Sequence, residues 1–306
     1  MLAFVLGAVA VRLKSDLSFP ESVTSLLSTY LLLAIGLKGG LRLRDASFDD
    51  LLWPLLATLL LGVLTPAMTY VVAHKFLNRA PADSAALAAH YGSVSAVTFT
   101  AAETFARNAG TLDENYLAAL IAVLEVPGIV VALVIASRVL GKSTFRGAVH
   151  EVVTGRSVVL LIGGLVIGFV ASEKSASLVE PLFVDMFAGV LVLFLLDLGV
   201  LAGARFGVIR AAGSKLVIFG VGLPVVFGVF GALLGTAAGL SVGGVTVLAT
   251  MAASASYIAA PAAVRIGMPD ADAGLALGAA LGITFPFNLV IGIPLYAELA
   301  SRLAGT

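Results

Sequence analysis

The chain has 306 residues, of which 60% are hydrophobic and only 12% charged, with zero formal net charge and no cysteine. Soluble domains carry about 25% charged residues, so this composition, with a mean hydropathy of +1.09, excludes a water-soluble globule and places the chain in a lipid bilayer. Zero net charge offers no footprint for nucleic acid, and the missing Cys excludes disulfides, thiol catalysis and Cys-ligated metal.

A spanning helix needs roughly 17–25 apolar residues. Ten such segments follow in chain order: 2–13, 21–38, 51–74, 84–107, 115–140, 155–172, 179–202, 215–238, 243–265 and 273–300. The first is short. It lacks the basic start and cleavage site of a signal peptide. The connectors are brief and carry turn or charged residues, as at Arg42-Leu43-Arg44-Asp45 and Asn78-Arg79-Ala80-Pro81. They leave no room for a soluble domain. The expected class is all-α, a polytopic membrane protein. Twelve of the 18 Lys and Arg, Lys142 among them, fall in the links from odd-numbered segments to the next. The positive-inside rule puts those links in the cytoplasm and both termini outside.

The two halves echo each other. Gly92-Ser93-Val94-Ser95 in segment 4 matches Ala253-Ser254-Ala255-Ser256 in segment 9. Leu33-Ala34-Ile35-Gly36 matches Leu196-Asp197-Leu198-Gly199, and Leu124-Glu125-Val126-Pro127 matches Ile283-Thr284-Phe285-Pro286. Five segments precede five more, and five is odd. The second repeat (146–306) therefore enters the membrane from the side opposite to the first (1–145), an inverted repeat.

Small, hydroxyl-rich stretches in segments 4 and 9 read as discontinuous helices, and broken backbone survives in a membrane only in protein or along a cavity. Pro261 suits the first turn of a helix restarted after the second break. Two restarted helices in an inverted pair aim their N-termini at one point, and free N–H groups there form an anion site without Lys or Arg. The candidate anion ligands are Gly92, Ser93, Ser95, Thr98, Ser254, Ala255 and Ser256. The plainer reading of any one of these hydroxyls is a bond back to its own helix.

Two acids lie inside apolar segments, Glu125 and Asp197. A central acid costs about 2.5–3.5 kcal/mol on insertion scales, which makes it a functional candidate. Their hard oxygens suit a cation such as Na⁺, with Thr284 and Asn288 adding neutral oxygens; a proton-carrying acid is the alternative. Glu103 and Arg107, spaced i, i+4, read as an ion pair at the membrane edge. His90 is expected to be structural, and Trp53 and Tyr70 to anchor the interface.

At these motifs, and at Ala253–Ala263 and Ile283–Tyr296 above all, the chain resembles the sodium-dependent bicarbonate transporter family first associated with cyanobacterial carbon concentration. The resemblance implies a ten-helix inverted repeat with a core domain (51–140 and 215–300) and a gate domain (1–40 and 155–203). It also implies a homotrimer in the plasma (inner) membrane and inward symport of Na⁺ with bicarbonate. On this reading the hydroxyls of both breaks face the anion, while Glu125, Thr284 and Asn288 serve Na⁺. The link of about 141–154 is short for the family, which counts against the soluble PII-like regulator of some relatives. Glu125 also stands where an Asp is familiar. The alternatives are symport of another small anion or carboxylate, and cation/proton antiport. No catalytic constellation or organic cofactor motif is present, so an enzyme is not expected.

Overall fold

The computed structural model describes residues 2–44, 46–141 and 145–305; Asp45 and Lys142, both used above, lie outside them. Among the described residues every regular element is a helix; there are no strands. The first half runs α1 (Leu2–Arg12), α2 (Glu21–Leu43), α3 (Phe48–Lys75), α4 (Pro81–Gly92), α5 (Ala96–Asn108) and α6 (Leu117–Leu140). The second runs α7 (Phe145–Thr154), α8 (Arg156–Val170), α9 (Glu173–Glu180), α10 (Phe187–Ala204), α11 (Phe206–Ala212), α12 (Ser214–Ala237), α13 (Val242–Ala252), α14 (Ala260–Gly267), α15 (Ala273–Ala279), α16 (Phe285–Phe287) and α17 (Ile293–Ala304).

Among the described residues, six helical stretches are long and apolar enough to cross a membrane: Glu21–Leu43, Asp49–Lys75, Leu117–Leu140, Lys174–Ala204, Ser214–Ala237 and Ala273–Ala304. A seventh follows if α7 and α8, bent by 47°, count as one. The remaining predicted spans are not single long helices. α1 has only 11 residues, and segments 4 and 9 are each split in two, as α4/α5 and α13/α14. Three short helices, α7, most of α9, and α11, fall where only links were expected. The signal for α7 is the i, i+4 pair Ala148 and Val152, both buried.

Glycines set two close helix pairs. A methyl group on Gly199 would sit 2.1 Å from the Phe4 carbonyl oxygen, and one on Gly203 would sit 3.2 Å from that of Ala8. The contacts advance together, so α1 and α10 run parallel. Likewise Gly164 meets Leu33 and Gly168 meets Leu37, at 2.9 and 2.3 Å from their carbonyl oxygens, so α2 and α8 run parallel. Small residues allow such backbone approach where lipid supplies no hydrophobic drive. These four helices form one group; α3, α4 and α6 pack on one another elsewhere, and α12, α13 and α17 do the same.

The last stretch, Ala273–Ala304, widens into π turns at Ala280–Thr284 and Asn288–Gly292. Each lies just before a proline, Pro286 or Pro294. A proline has no N–H for the carbonyl four residues back, which loosens the turn it should close. Thr284 and Asn288 sit in these loosened turns, both fully buried. Elsewhere Glu103 pairs with Arg107 at 2.8 Å and Arg42 at 3.1 Å. Trp53 is 62% exposed, and Tyr70 stacks on His74.

Candidate functional site

Both predicted breaks are present. Chain 93–95 separates α4 from α5, and 253–259 separates α13 from α14. Ser95 caps α5 in extended backbone, its Oγ accepting from the Thr98 N–H at 3.2 Å. Ser256 Oγ accepts from the N–H groups of Ala259 and Ala260 at 3.3 and 3.4 Å, and Pro261 stands in the first turn of α14. The polar stretches stop one helix and cap the next, which is how Ser favours helix starts over interiors. The helical threonines behave as the plainer reading has it: Thr58, Thr65 and Thr69 donate to carbonyls four residues back.

The breaks cross and bond to each other. The Ser95 N–H donates to Ser254 Oγ at 2.9 Å, and Ser254 Oγ donates to the Met251 carbonyl at 2.8 Å. The Ser256 N–H donates to the His90 carbonyl at 2.7 Å. His90 Nδ1 lies 2.7 Å from the Ser256 carbonyl; a carbonyl can only accept, so Nδ1 carries the proton. Sequence reasoning gave His90 a structural role without its partner, which lies 166 residues away. His90→Phe keeps a ring but leaves the Ser256 carbonyl without its donor, a loss of about 1–3 kcal/mol. Its thermal midpoint is expected to fall, with an approximately tenfold weaker apparent anion affinity in uptake assays.

Hydrogen-bond accounting separates the predicted anion ligands. Ser254 Oγ both donates and accepts within the protein. Ser95 Oγ accepts from Thr98 N–H and Oγ1–H and donates to Tyr257 Oη at 3.1 Å. Thr98 Oγ1 spends its proton on Ser95 and retains only acceptor capacity. Ser256 Oγ keeps its proton, as does Tyr257 Oη, a group the serine pattern did not single out. Ser93 Oγ is buried and has no partner among the described residues. Ser93 matches Ser254 in the two echoed motifs, but the His90 carbonyl occupies the Ser256 N–H, and the Ser93 hydroxyl has no partner among the described residues. Gly92 and Ala255 are buried backbone positions. The first intrahelical bond of α5 comes from Phe99 to the Ser95 carbonyl, so the Ala96 and Val97 N–H groups precede it. The buried charged side chains among the described residues are Glu125 and Asp197, both acids.

The cation candidates divide. Thr284 Oγ1 donates to the Gly220 carbonyl at 2.7 Å, so Tyr91 Oη, also at 2.7 Å, must donate to Thr284. Asn288 Nδ2 donates to the Ala253 carbonyl at 2.8 Å, and its Oδ1 lies 3.3 Å from Tyr296 Oη, whose one proton it shares with the Pro224 carbonyl at 3.2 Å. Thr284 is thereby tied to the C-terminus of α4, and Asn288 to that of α13. Glu125 is 4% exposed on α6, one turn from Gly128, which touches Gly92. Asp197 lies apart on α10. Its Oδ2 is buried without a partner, and the Thr24 side chain of α2 bonds its carboxylate.

Two cavities border the breaks. One of about 10 Å³ lies between Ala96, Val97, Thr100 and Ile258 on one side and Ser28, Leu31, Leu32, Ile35, Leu191 and Phe194 on the other. That is room for roughly one water. The other, of about 290 Å³, runs from Ile258–Ala263 to Glu151, Arg156 and Arg265.

A family model for the Na⁺-dependent bicarbonate transporter superfamily matches residues 1–301. The chain belongs to this superfamily. Membership implies Na⁺-dependent bicarbonate transport, and it agrees with the many apolar helices of the fold. No curated protein matches the chain.

Proposed function

We propose that this superfamily member is a symporter that carries bicarbonate inward with Na⁺ by alternating access, as a ten-span inverted repeat. The observation that carries the reading is the crossing of the two breaks, with helix N-termini and unspent hydroxyl protons at one buried place where no Lys or Arg is buried among the described residues. Ser93 Oγ, Ser256 Oγ and Tyr257 Oη, with the first N–H groups of α5, donate to the anion. Thr98 Oγ1 accepts a hydrogen bond from the O–H of bicarbonate, a contact a fully deprotonated anion cannot make. Na⁺ sits toward the C-termini of α4 and α13, where helix dipoles favour a cation, with Glu125, Thr284 and Asn288 around it. Each ligand then raises the affinity of the other by the same factor. Asp197, on a different helix group, serves packing or proton exchange at α2.

The parallel pairs α1/α10 and α2/α8 support the inverted repeat. Exchanging the halves turns the first pair into the second, and two pairs of opposite direction are what an in-plane axis generates. The group α1, α2, α8 and α10 acts as the gate and the remaining long helices as the core. The 10 Å³ cavity between them holds no bicarbonate, so loading requires the core to shift against the gate. The cavity at Arg156 and Arg265 is the inward path. The molecule works as a homotrimer, with both termini outside.

Proteoliposome uptake of labelled bicarbonate tests this. Uptake is expected to rise with external Na⁺, and nitrate, which has no proton to give Thr98, is expected to compete poorly. Ser93→Ala removes a hydroxyl bonded to nothing else and so is expected to lower bicarbonate affinity about tenfold with an unchanged melting temperature. Uptake indifferent to Na⁺ overturns the coupling, and unchanged affinity in Ser93→Ala removes that hydroxyl from the site.

A further inference from the structure

A groove of about 690 Å³ lies between α1 and the start of α12, with α11 along its edge. Its apolar wall is built from Phe4, Val5, Val9, Phe206 and Val217, and Arg12 and Arg210 complete it. Among the described residues no acidic side chain lines it. Neither arginine forms an ion pair among the described residues. Val5, Val9, Phe206 and Val217 are all more than 40% exposed.

α1 and α10 run parallel, so Arg12 at the end of α1 and Arg210 just beyond α10 belong to one membrane face. That is the face with the larger share of Lys and Arg. An apolar groove at membrane depth accepts an acyl chain, and two unneutralised guanidinium groups beside it ask for an anion. Guanidinium is planar and binds phosphate through paired donors. Basic pockets between membrane helices on the cytoplasmic side suit anionic headgroups.

We propose that this groove binds an anionic phospholipid of the basic-side leaflet, its chain along Phe4, Val9 and Val217 and its phosphate between Arg12 and Arg210. The bound lipid spans α1 of one helix group and α12 of the other. It therefore bridges the two bodies that must slide if the transport reading holds, but lipid binding itself does not depend on that reading.

Native mass spectrometry of the purified full chain, titrated with phosphatidylglycerol or phosphatidylcholine, tests the proposal. Wild type is expected to retain phosphatidylglycerol preferentially. Arg12→Gln/Arg210→Gln is expected to bind it about 30-fold more weakly, from about 1 kcal/mol per lost charge at a membrane surface, with phosphatidylcholine unaffected. Equal binding of the two lipids by wild type, or unchanged phosphatidylglycerol affinity in the double variant, overturns it. So does a disulfide between copies carrying Val9→Cys in a chain that otherwise has no cysteine, since a second copy would then fill the groove. Bicarbonate uptake is not the readout, so failure here is distinct from failure of the transport reading.

Discussion

Glu125→Gln is expected to abolish the Na⁺ dependence of bicarbonate uptake while the protein still folds. The Glu125 side chain is almost wholly buried on α6, with no hydrogen bond to its carboxylate among the described residues. An ionised carboxylate so placed, with nothing to compensate it, costs several kcal/mol. On the proposed cation role, a bound Na⁺ offsets part of that cost, and that part contributes to its affinity. Gln fills the same volume without the charge, so the cation loses on the order of 3 kcal/mol, or more than 100-fold in affinity. Uptake rates measured from zero to high Na⁺ should collapse onto one low, flat line. Glu125→Asp keeps the charge and withdraws it by one methylene, so it should retain Na⁺ dependence with a weaker half-saturation. A Gln variant with the wild-type Na⁺ curve would take Glu125 out of the cation site and leave the carboxylate as a proton carrier.

The helical class and the places where helices break were legible because both rest on local chemistry. Apolar runs must be helical in lipid, Ser95 caps α5, and Ser256 Oγ accepts from the N–H groups at the start of α14. Lengths were less legible. α1 and the split segments are too short to span alone, since their burial is shared with neighbours far off in sequence. The division of labour among the serines was not legible at all. Ser93 and Ser254 match in the two sequence motifs, yet among the described residues Ser254 is fully bonded and Ser93 has no partner. The difference lies in a carbonyl, that of His90, which no side-chain pattern reports. Tyr91, Tyr257 and Tyr296 escaped notice for a similar reason: Tyr91 reaches Thr284, Tyr257 reaches Ser95 and Tyr296 reaches the Pro224 carbonyl, all distant in sequence, and a lone Tyr in an apolar run carries no period or motif. Thr284 and Asn288 were visible as polar residues near Pro286, but their attachment to opposite breaks required the π turns.

Gly128→Ala should be the most damaging single methyl in the molecule. A Cβ at Gly128 would lie 1.6 Å from the Gly92 carbonyl oxygen and 2.4 Å from its carbonyl carbon. Backbone cannot yield as a flexible side chain does, so α4 and α6 must separate by well over 1 Å to reach ordinary contact distances. Overpacking in a well-filled interior costs typically about 1–3 kcal/mol, and a clash with backbone belongs at or beyond the upper end. The injury would not stay local. Gly92 is followed directly by Ser93 and preceded by Tyr91, whose hydroxyl holds Thr284, and by His90, which is bonded twice to Ser256. Displacing Gly92 therefore moves the free Ser93 hydroxyl, one cation candidate and the crossing of the breaks together. Folded yield and thermal midpoint should fall sharply, and any protein recovered should have lost both bicarbonate affinity and Na⁺ affinity. Gly163→Ala supplies the control, because a methyl group there meets nothing within 4 Å. If Gly128→Ala transported like Gly163→Ala, the tight junction of α4 and α6 would have no part in holding the two sites in register.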